Sequence, residues 1–407
     1  MRLGYLYSRY PVLSQTFCDA EMLELERREF ELVIASMFPP KTPIRHEYLA
    51  NLRAPIHYAP EKAALEKLVK TAKRKGRWPD ALIAQHERKY GPDYKAALRA
   101  RNALFFVDLF ERERVSHIHV HFANRAAHTA LFVKAISGIP FSITAHGQDF
   151  MTDLGNEELL CEICAGAEFV AAETDYSRDL LASHCRDSAD KIFRVYNGIP
   201  LRKFDHRAEN RQGNGSVRLL SVGRLVAFKG FDVLIDACAE LRRHDVEFTC
   251  EIIGDGDLRE ELEARIAANG LRERVTLSGE RSQDYVLGAL ASCDVFVLAA
   301  KVDDRGASDV FPTVIAEAMT SAKPVVSTTV AGIPELVADG ESGLLVPPRD
   351  PHALATAMTK LIADRSLREQ MGRAGRERIE THFTIERTID PLLQRFAARN
   401  KAPAARP

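Results

Sequence analysis

Long apolar segments are missing from this chain of 407 residues. No run approaches the roughly 20 consecutive apolar residues that a membrane-spanning helix requires. The N-terminal apolar run, Leu3 to Tyr7, is too short for the central region of a secretory signal peptide and is typical of a buried strand. We therefore expect a cytoplasmic protein.

A net charge of either sign is nearly absent, since 56 Lys and Arg residues stand against 57 Asp and Glu residues. This balance excludes a global attraction to nucleic acid, so we expect no nucleic-acid partner. The stretch 62–101 is an exception, because its twelve basic and four acidic residues give a local charge of +8. Leu65, Leu68 and Val69 recur there at helical spacing, near Trp78, the only tryptophan. Peripheral contact with anionic lipid and a solvated basic face both fit this pattern.

A disulfide framework is not indicated either. The seven cysteines are odd in number and scattered, which is typical of reduced thiols. Cys161 and Cys164 form a C-x-x-C pair, with Cys185 further on, and a zinc site is one interpretation. The other is that both side chains face the core from a helix over Glu157–Ala165. Because the chain has no second C-x-x-C, we favour the core interpretation and expect no metal.

The chain is rich in apolar strand patterns that alternate with helical patterns. Its length exceeds the roughly 250–300 residues of a single core, so we expect two domains. The alternation predicts parallel sheets with helices on both faces, the doubly wound α/β class. The predicted strands are Arg2–Tyr7, Phe30–Met37, Ile56–Tyr58, His117–Phe122, Phe141–Ala145, Phe169–Glu173 and Phe193–Tyr196 in the first half, and Arg218–Val222, Thr249–Ile253, Val275–Ser278, Val295–Ala299, Pro324–Thr328 and Gly343–Val346 in the second.

A Gly- and Asn-rich segment without apolar periodicity separates the two series of strands. We predict an N-terminal domain over 1–197, a linker over 198–216 and a C-terminal domain over 217–382. A terminal helix over 383–400 is expected to return to the first domain, and the Ala- and Pro-rich tail 401–407 to be disordered. Ligands of open α/β sheets bind at the carboxyl ends of the strands, so we expect the chemistry in loops at those ends, lining a cleft between the domains.

Two cations follow the first strand of the second half. Gly223 permits a tight turn there, and Arg224 and Lys229 place positive charge at the end of the strand. A diphosphate requires such charge, which Arg supplies as a planar fork of donors and Lys as a point charge. A solvated loop is the alternative when this segment is considered alone.

The next two strand-end loops carry less specific signals. Gly254 begins a Gly-Asp-Gly-Asp turn that has only two of the three glycines of a dinucleotide fingerprint, because Arg259 takes the third place. Arg281 follows the next strand, where the backbone could meet a nucleobase. We predict ligand contacts at Gly254 and Arg281.

The fourth loop precedes a helix. Pro312 is predicted at the first helical position, where a missing N–H costs nothing, and the free amides beside it suit an anion. Asp309 lies before the helix and Glu317 within it, and carboxylates accept hydrogen bonds from sugar or ribose hydroxyls. The candidate contacts of this loop are Asp309, Val310, Phe311, Pro312, Thr313 and Glu317.

In combination these motifs resemble glycosyltransferase family 4, a retaining group with the GT-B fold. The matching segments are G-R-x(4)-K-G at Gly223–Gly230, the E-x(7)-E spacing at Asp309 and Glu317, A-M-x(4)-P-V-V from Ala318, G-I-P-E-L-V from Gly332, G-x-x-G-L-L-V from Gly340 and V-x-N-G-I from Val195. Thr144–Asp149 looks like the histidine loop of the family. Tyr10–Phe17 and His117–Phe122 look like bacterial exopolysaccharide and colanic-acid-type members.

The resemblance implies metal-independent, retaining transfer of a hexose-type sugar from a UDP- or GDP-sugar to a saccharide or lipid-linked acceptor. Arg224 and Lys229 are expected to stabilise the leaving diphosphate, and His146 to bind the sugar or steady the anomeric centre. Asp309 would hold sugar hydroxyls and Glu317 the ribose. The basic stretch would then attach the protein to the inner face of the membrane, near a lipid-linked acceptor.

The sequence departs from the family pattern at Asp309, where Glu is usual, and at Val310, where Gly is common. Ser8–Pro11 replaces the usual Gly-Gly turn after the first strand. Two other functions therefore stay open. One is a nucleotide-sugar 2-epimerase, which shares the two-domain architecture, and the other is a non-catalytic nucleotide-sugar-binding protein.

Overall fold

A computed structural model describes residues 1–13, 15–41, 47–204 and 216–401. The chain divides into two compact units, the first formed by Met1–Val195 with Ile389–Pro407 and the second by Tyr196–Thr388. Each unit is a parallel β-sheet with α-helices packed on it. The doubly wound α/β class predicted for both halves is confirmed.

The sheet of the first unit has seven strands in the order β3-β2-β1-β4-β5-β6-β7. They are β1 Arg2–Arg9, β2 Glu31–Phe38, β3 Ile56–Tyr58, β4 His117–His121, β5 Phe141–Ala145, β6 Val170–Ala172 and β7 Ile192–Arg194. The central strands are buried on both faces, which explains their short, nearly continuous apolar or neutral runs. The strand order reverses between β1 and β4, and such a switch point is where doubly wound sheets bind ligands.

The helices of the first unit connect these strands. They are α1 Thr16–Arg27, α2 Lys62–Arg74, α3 Asp80–Tyr90, α4 Ala96–Arg112, α5 Arg125–Ser137, α6 Glu157–Gly166 and α7 Asp175–His184. Side chains define several starts: Asn124 caps α5, Asn156 caps α6, and Thr174 forms a capping box at α7.

The sheet of the second unit has six strands in the order β10-β9-β8-β11-β12-β13. They are β8 Val217–Val222, β9 Phe248–Ile253, β10 Val275–Gly279, β11 Val295–Val297, β12 Val325–Thr328 and β13 Gly343–Val346. The switch point lies between β8 and β11. The helices of this unit are α8 Phe231–Arg243, α9 Arg259–Ala268, α10 Gln283–Ser292, α11 Thr313–Thr320, α12 Ile333–Leu336, α13 Pro351–Ala363, α14 Arg365–His382 and α15 Ile385–Thr388.

The last helix, α16, spans Asp390–Lys401 and belongs to the first unit. Its Phe396 is fully buried, and the ring centroid lies 5.7 Å from that of His117 and 5.5 Å from that of His119. The predicted returning helix over 383–400 therefore begins later than expected. Ile385–Thr388 still forms a helix of the second unit.

The division between the units also falls slightly before the predicted end of the first domain at residue 197. Tyr196 already belongs to the second unit, because the chain that follows it pairs there. The backbone N–H of Ile199 donates to Phe383 O at 2.8 Å, and the N–H of Ile385 donates to Ile199 O at 3.1 Å. Of the predicted linker 198–216, residues 205–215 lie outside the described residues, as do residues 402–407 of the predicted tail.

None of the helices formed by the described residues combines the length and the apolar character that crossing a lipid bilayer requires.

The cysteines lie in the packing of their units rather than as exposed thiolates. Cys164 is fully buried, and Cys161 Sγ lies 2.7 Å from Cys185 Sγ. Burial, together with the hydrogen bond to Cys185, raises the pKa of Cys161 to about 12, so this thiol keeps its proton at neutral pH. Cys164 packs in the core as expected, whereas Cys161 is half-buried.

Candidate functional site

The loops after β8 and β9 touch each other through their backbones. The N–H of Gly223 donates to Ile253 O at 2.9 Å. Gly254 has φ +144°, and a Cβ added to it would lie 1.8 Å from the carbonyl oxygen of Gly223. Only glycine fits at that position, which is why the Gly-Asp-Gly turn follows this strand. Gly254 therefore supports the first loop through its backbone.

Lys229 and Asp309 form an ion pair at the carboxyl edge of this sheet. Lys229 Nζ lies 2.8 Å from Asp309 Oδ2 and donates a hydrogen bond to Oδ1 at 3.0 Å. The two side chains are only 12% and 14% exposed. Lys229 closes the loop after β8, and Asp309 lies in the connection from β11 to α11, so the pair joins the two sides of the switch point.

Gly230 fixes where Lys229 stands. Its φ is +68°, and a Cβ there would lie 1.8 Å from the carbonyl oxygen of Ala299, just after β11. The loop can cross the end of β11 this closely only because residue 230 has no side chain. Helix α8 starts at once after it, so Lys229 is held between a strand end and a helix start.

Arg224 and Lys229 both lie near the ring of Phe228. The guanidinium carbon of Arg224 and the Nζ of Lys229 each lie 5.9 Å from the ring centroid of Phe228, which is 6% exposed. The structure thus brings together the two predicted cations on one aromatic ring.

The segment before α11, which is predicted to contact a ligand, is largely buried. Val310 and Phe311 are 4% and 6% exposed, and Phe311 packs against Phe383 with ring centroids 5.9 Å apart. Any ligand contact of these residues therefore uses their backbone. Pro312 is the N-cap, with ψ 101°, and the helix begins at Thr313. The predicted first helical position for Pro312 is wrong by one residue, because its extended ψ cannot continue a helix.

Glu317 and Arg281, the remaining predicted residues of this unit, differ in how exposed they are. Glu317 is half-buried in α11, eight residues after Asp309. Arg281 is exposed and stacks over Tyr285, with its guanidinium carbon 5.1 Å from the ring centroid. It follows the edge strand β10, about 10 Å from β8 across the sheet, so it is not part of the Lys229–Asp309 cluster.

Lys301 is a buried cation of this region that the sequence analysis missed. It is 9% exposed, and its Nζ lies 2.5 Å from Asp232 Oδ2. Its backbone N–H donates to Phe228 O at 2.9 Å. It therefore ties the loop after β11 to the loop after β8. Its sequence signal was a lysine directly after an apolar strand.

The histidine loop of the first unit follows β5. His146 Nδ1 lies 2.8 Å from Glu173 Oε1, and His146 Nε2 lies 3.1 Å from His121 Nδ1. The residue is 6% exposed. One ring nitrogen thus faces a carboxylate and the other a second histidine, and the expected role of His146 at the sugar stays a prediction. Glu173 and His121 were missed as partners.

Two buried carboxylates shape this loop. Asp149 Oδ2 accepts the N–H of His146 at 3.0 Å and that of Ala123 at 2.9 Å, which joins the loops after β4 and β5. Burial raises the pKa of Asp149 well above its usual range. Glu173 Oε2 accepts the N–H of Gly147 at 3.3 Å. The sequence places His146 correctly after a strand, but its surroundings come from residues far away in the chain.

Among the described ranges, Glu21, His119 and His121 form the one group of three or more His, Cys, Asp or Glu side chains that converges closely enough to hold an ion. Their converging atoms are already bonded. His121 Nε2 lies 3.0 Å from Glu21 Oε1, and His119 Nε2 lies 2.9 Å from Thr144 Oγ1. In this ligand-free structure the three side chains take part in a hydrogen-bond network.

The basic stretch 62–101 forms α2, α3 and the start of α4. Leu65 is buried and Leu68 half-buried in the core of the first unit, so the apolar face of α2 is already used in packing. Trp78 also packs on that core, with Lys73 Nζ 5.7 Å from its ring centroid. What α2 exposes is its lysine side.

Each half of the chain matches a family model. Residues 22–203 match the model described as Glycosyltransferase Family 4, and residues 202–378 match Glycosyl transferases group 1. Over 98% of its length, the chain is 28% identical to the amylovoran biosynthesis glycosyltransferase AmsK of Erwinia amylovora, which is covered completely. It is 34% identical to the putative colanic acid biosynthesis glycosyltransferase WcaL of Escherichia coli over 50% of this chain and 51% of WcaL.

Solved structures share the fold. A sucrose-phosphate synthase from Thermosynechococcus elongatus superposes with a TM-score of 0.74 at 18% identity, covering 99% of this chain and 100% of that one. The Anabaena protein HepE in complex with UDP also gives 0.74 at 18% identity, covering 98% of this chain and 100% of HepE. At this identity the likeness concerns the fold alone.

Proposed function

The chain belongs to the family 4 glycosyltransferases with the GT-B fold, and from this premise we propose that it transfers a hexose-type sugar, with retention of configuration, from a nucleoside-diphosphate sugar to a saccharide or lipid-linked saccharide. The proposed process is the biosynthesis of a cell-surface polysaccharide. The names of two relatives support it, since AmsK is described as an amylovoran biosynthesis glycosyltransferase and WcaL as a putative colanic acid biosynthesis glycosyltransferase.

The observation that carries the proposal is the Lys229–Asp309 pair at the switch point of the second unit. The two charged groups lie 2.8 Å apart at the carboxyl edge of the sheet. The lysine can bind a phosphate, and the carboxylate can accept a hydrogen bond from a hydroxyl. Arg224, on the same Phe228 ring, adds a second cation with a planar fork of donors. HepE, with the same fold, is described in complex with UDP and with UDP-glucose.

The chemistry follows from where charge develops. When the bond between the anomeric carbon and the diphosphate breaks, negative charge grows on the leaving oxygen. Preorganised cations at that position lower the barrier, and removing one such group typically costs a factor of about 100–1,000. We assign this part to Arg224 and Lys229, aided by the amides at the start of α11. These cations suffice for the leaving group, so the proposal needs no divalent metal.

The donor sugar and the ribose are assigned to the two carboxylates of the α11 region. Asp309 turns from Lys229 toward sugar hydroxyls when a diphosphate takes the cation, and Glu317 accepts from the ribose. No protein nucleophile is proposed. The acceptor attacks from the face that the diphosphate leaves, and a phosphate oxygen takes the acceptor proton, which gives retention.

A nucleotide-release screen tests the function. The purified chain is incubated with UDP-, GDP- and ADP-sugars, with and without lipid-linked saccharide, and free nucleoside diphosphate is measured. We expect release from a UDP- or GDP-hexose that rises when acceptor is added and is unaffected by EDTA. The new linkage, examined by NMR of the product, should keep the anomeric configuration of the donor.

Other outcomes identify the other functions. Interconversion of the sugar in a donor incubated alone indicates a 2-epimerase. Tight nucleotide binding without transfer or hydrolysis across all donors indicates a binding protein, and either result contradicts the proposal.

A further inference from the structure

Two cysteine sulfur atoms of the first unit lie in direct contact. Cys161 is in the middle of α6, and Cys185 is the C-cap residue of α7. Cys161 Sγ lies 2.7 Å from Cys185 Sγ and 3.4 Å from the carbonyl oxygen of His184. A disulfide bond is about 2.05 Å long, so the two sulfur atoms need to approach each other by only about 0.7 Å to form one.

The two thiols differ in their access to water. Cys161 is half-buried, whereas Cys185 is 2% exposed. Cys164 lies near Cys185, since its interaction raises the pKa of the Cys185 thiol, but Cys164 itself is fully buried. A small reagent dissolved in water therefore reaches Cys161 first, and Cys185 can react only through Cys161.

A second pair of neighbouring thiols, in the other unit, shows the contrast. The interaction with Cys250 raises the pKa of Cys238, so these two thiols lie close to each other. Both are buried, Cys238 in α8 and Cys250 in β9. A reagent in water reaches neither of them. Proximity is thus common to both pairs, and an entry point for a reagent belongs to the Cys161–Cys185 pair.

We propose that Cys161 and Cys185 are a modification site, at which the two thiols form a disulfide by exchange with a low-molecular-weight disulfide of the glutathione type. The thiolate of Cys161 attacks one sulfur of the small disulfide, which forms a mixed disulfide and releases one small thiolate. The thiolate of Cys185 then attacks the sulfur of Cys161 and displaces the second small thiolate. The protein thiols lose two electrons, the small disulfide gains them, and the two protons end on the released thiols.

The protonation of the entry thiol sets the pace of this exchange. Burial, together with the hydrogen bond to Cys185, raises the pKa of Cys161 to about 12, so thiolate is scarce at neutral pH and the first step is slow. The thiolate of such a thiol is a strong nucleophile, and the second step joins two atoms that are already in contact. A thiol with a raised pKa is also a poor leaving group, so the closed bridge opens slowly.

The bridge would fix the segment that carries a partner of the histidine loop. Between Cys161 and Cys185 the chain forms β6 and α7, with Glu173 at the connection. Glu173 Oε1 lies 2.8 Å from His146 Nδ1. A disulfide across this segment removes conformations from the unfolded chain, and we expect the thermal midpoint to rise by about 5 °C.

Peptide mapping of the full-length protein tests the site. The purified chain is incubated for several hours at pH 8 with glutathione disulfide, denatured, alkylated at its free thiols, and digested with trypsin and a Glu-specific protease. Trypsin separates residues 135–178 from 179–186, and cleavage after Glu162 separates Cys161 from Cys164. The digest therefore identifies which of the two α6 thiols has reacted.

We expect the peptide of Cys161 to be linked to the peptide of Cys185 in most of the protein, and dithiothreitol to separate them. Cys238 and Cys250 are the internal reference and should be recovered alkylated. Free Cys161 and Cys185 in the treated wild type overturn the proposal, as does a Cys161 that keeps glutathione without reacting further. This measurement needs no variant and no sugar donor, so it stands apart from the proposed function.

Two variants test the order of the steps. Cys161→Ser removes the entry point, so Cys185 should stay reduced and the thermal midpoint should be the same before and after treatment. Cys164→Ser is the matched control on the same helix, and it should form the bridge and gain stability like the wild type. A disulfide between Cys164 and Cys185 in Cys161→Ser, formed as fast as the wild-type bridge, would contradict the assignment of Cys161 as the entry thiol.

Discussion

Lys229 and Asp309 are separated by 79 intervening positions, yet their side chains meet with Nζ 2.8 Å from Oδ2. The meeting is a consequence of sheet order, because β8 and β11 are neighbours at the switch point and each residue lies in the loop region after one of them. In the ligand-free chain each charge neutralises the other, and a diphosphate would replace Asp309 as the partner of Lys229.

The cations of this site are predicted to control turnover. Lys229→Ala and Arg224→Ala should each lower kcat at least about a hundredfold, because each removes a group that stabilises the charge of the leaving diphosphate. The assay is nucleotide release with the best donor of the screen, with thermal denaturation as the check on folding.

Arg265→Ala is the matched control. Arg265 forms a similar contact with Asp236, with Nη2 2.5 Å from Oδ2, but it lies between α8 and α9, away from the carboxyl edge. Its loss should leave kcat unchanged, since such exposed pairs are worth about 0–1 kcal/mol. Near-normal turnover in both site variants would remove the assignment of Lys229 and Arg224.

Asp309 is predicted to act on the sugar and not on the nucleotide. Asp309→Asn should lower transfer strongly while nucleoside diphosphate binds at least as tightly, because Lys229 is released from its partner. Isothermal titration with UDP and GDP measures the affinity. Asp309→Glu, which restores the carboxylate usual in the family, should change the preference among donor sugars. Weaker nucleotide binding in Asp309→Asn would show that this carboxylate supports the phosphate site instead.

His146 is predicted to affect transfer without affecting the nucleotide. Its ring lies in the first unit among Glu173 and His121, while the proposed phosphate contacts belong to the second unit. His146→Ala should therefore reduce kcat with little change in nucleotide affinity. A loss of nucleotide binding comparable to that of Lys229→Ala would contradict this separation of roles.

Buried neutral histidines are predicted to make the fold sensitive to acid. Burial lowers the pKa of His119 and of His128 to about 3, from an ordinary value near 6.5. The unfolded chain therefore binds more protons than the folded chain between about pH 6.5 and 3, and each histidine costs about 1.4 kcal/mol of stability per pH unit as the pH falls. Urea unfolding at pH 7 and pH 5 measures this loss.

His128→Phe isolates one contribution. The variant should lose less stability than the wild type between pH 7 and pH 5, by about 1–2 kcal/mol, because one titrating group has been removed. An equal loss in both proteins would mean that His128 is not neutral in the fold.

Membrane attachment is predicted to be electrostatic. Since Leu65 and Leu68 pack inside the first unit, α2 can offer a membrane only its exposed basic residues, each worth about 1 kcal/mol near anionic lipid. Flotation with phosphatidylserine vesicles at low salt should recover the protein, and high salt should release it. Replacing Lys67, Lys70 and Lys73 by Gln should abolish flotation.

The control replaces three exposed arginines of the second unit, Arg272, Arg365 and Arg373, by Gln. This control variant loses the same three positive charges as the lysine variant, and it should float like the wild type. No flotation of the wild type at low salt would refute membrane attachment through 62–101.

The strands were predictable from sequence because parallel sheets buried on both faces leave short apolar runs. All thirteen predicted strands are confirmed, with ends that differ by no more than two residues. The ends of the units were less predictable. The pairing of Ile199 with Thr384, which moves the boundary, depends on a contact between distant segments that no local pattern signals.

The sequence identifies the loops of the candidate site, but it does not show which side chains contact each other there. Gly223, Lys229 and Asp309 follow strands, and strand-end position is a local signal. The network around His146 draws on Glu21 and Glu173, which lie on different elements. One sequence signal for this network was available. Strict alternation in His117-Ile118-His119-Val120-His121 places three imidazoles on one side of β4. Three polar rings on a buried face of a sheet require hydrogen-bond partners.

A crystal structure with UDP or GDP bound tests the central claim most directly. The account predicts that the diphosphate oxygens lie within hydrogen-bonding distance of Lys229 Nζ and the Arg224 guanidinium, with Asp309 turned away from the lysine. A nucleotide bound elsewhere, with the Lys229–Asp309 contact still in place, would contradict it.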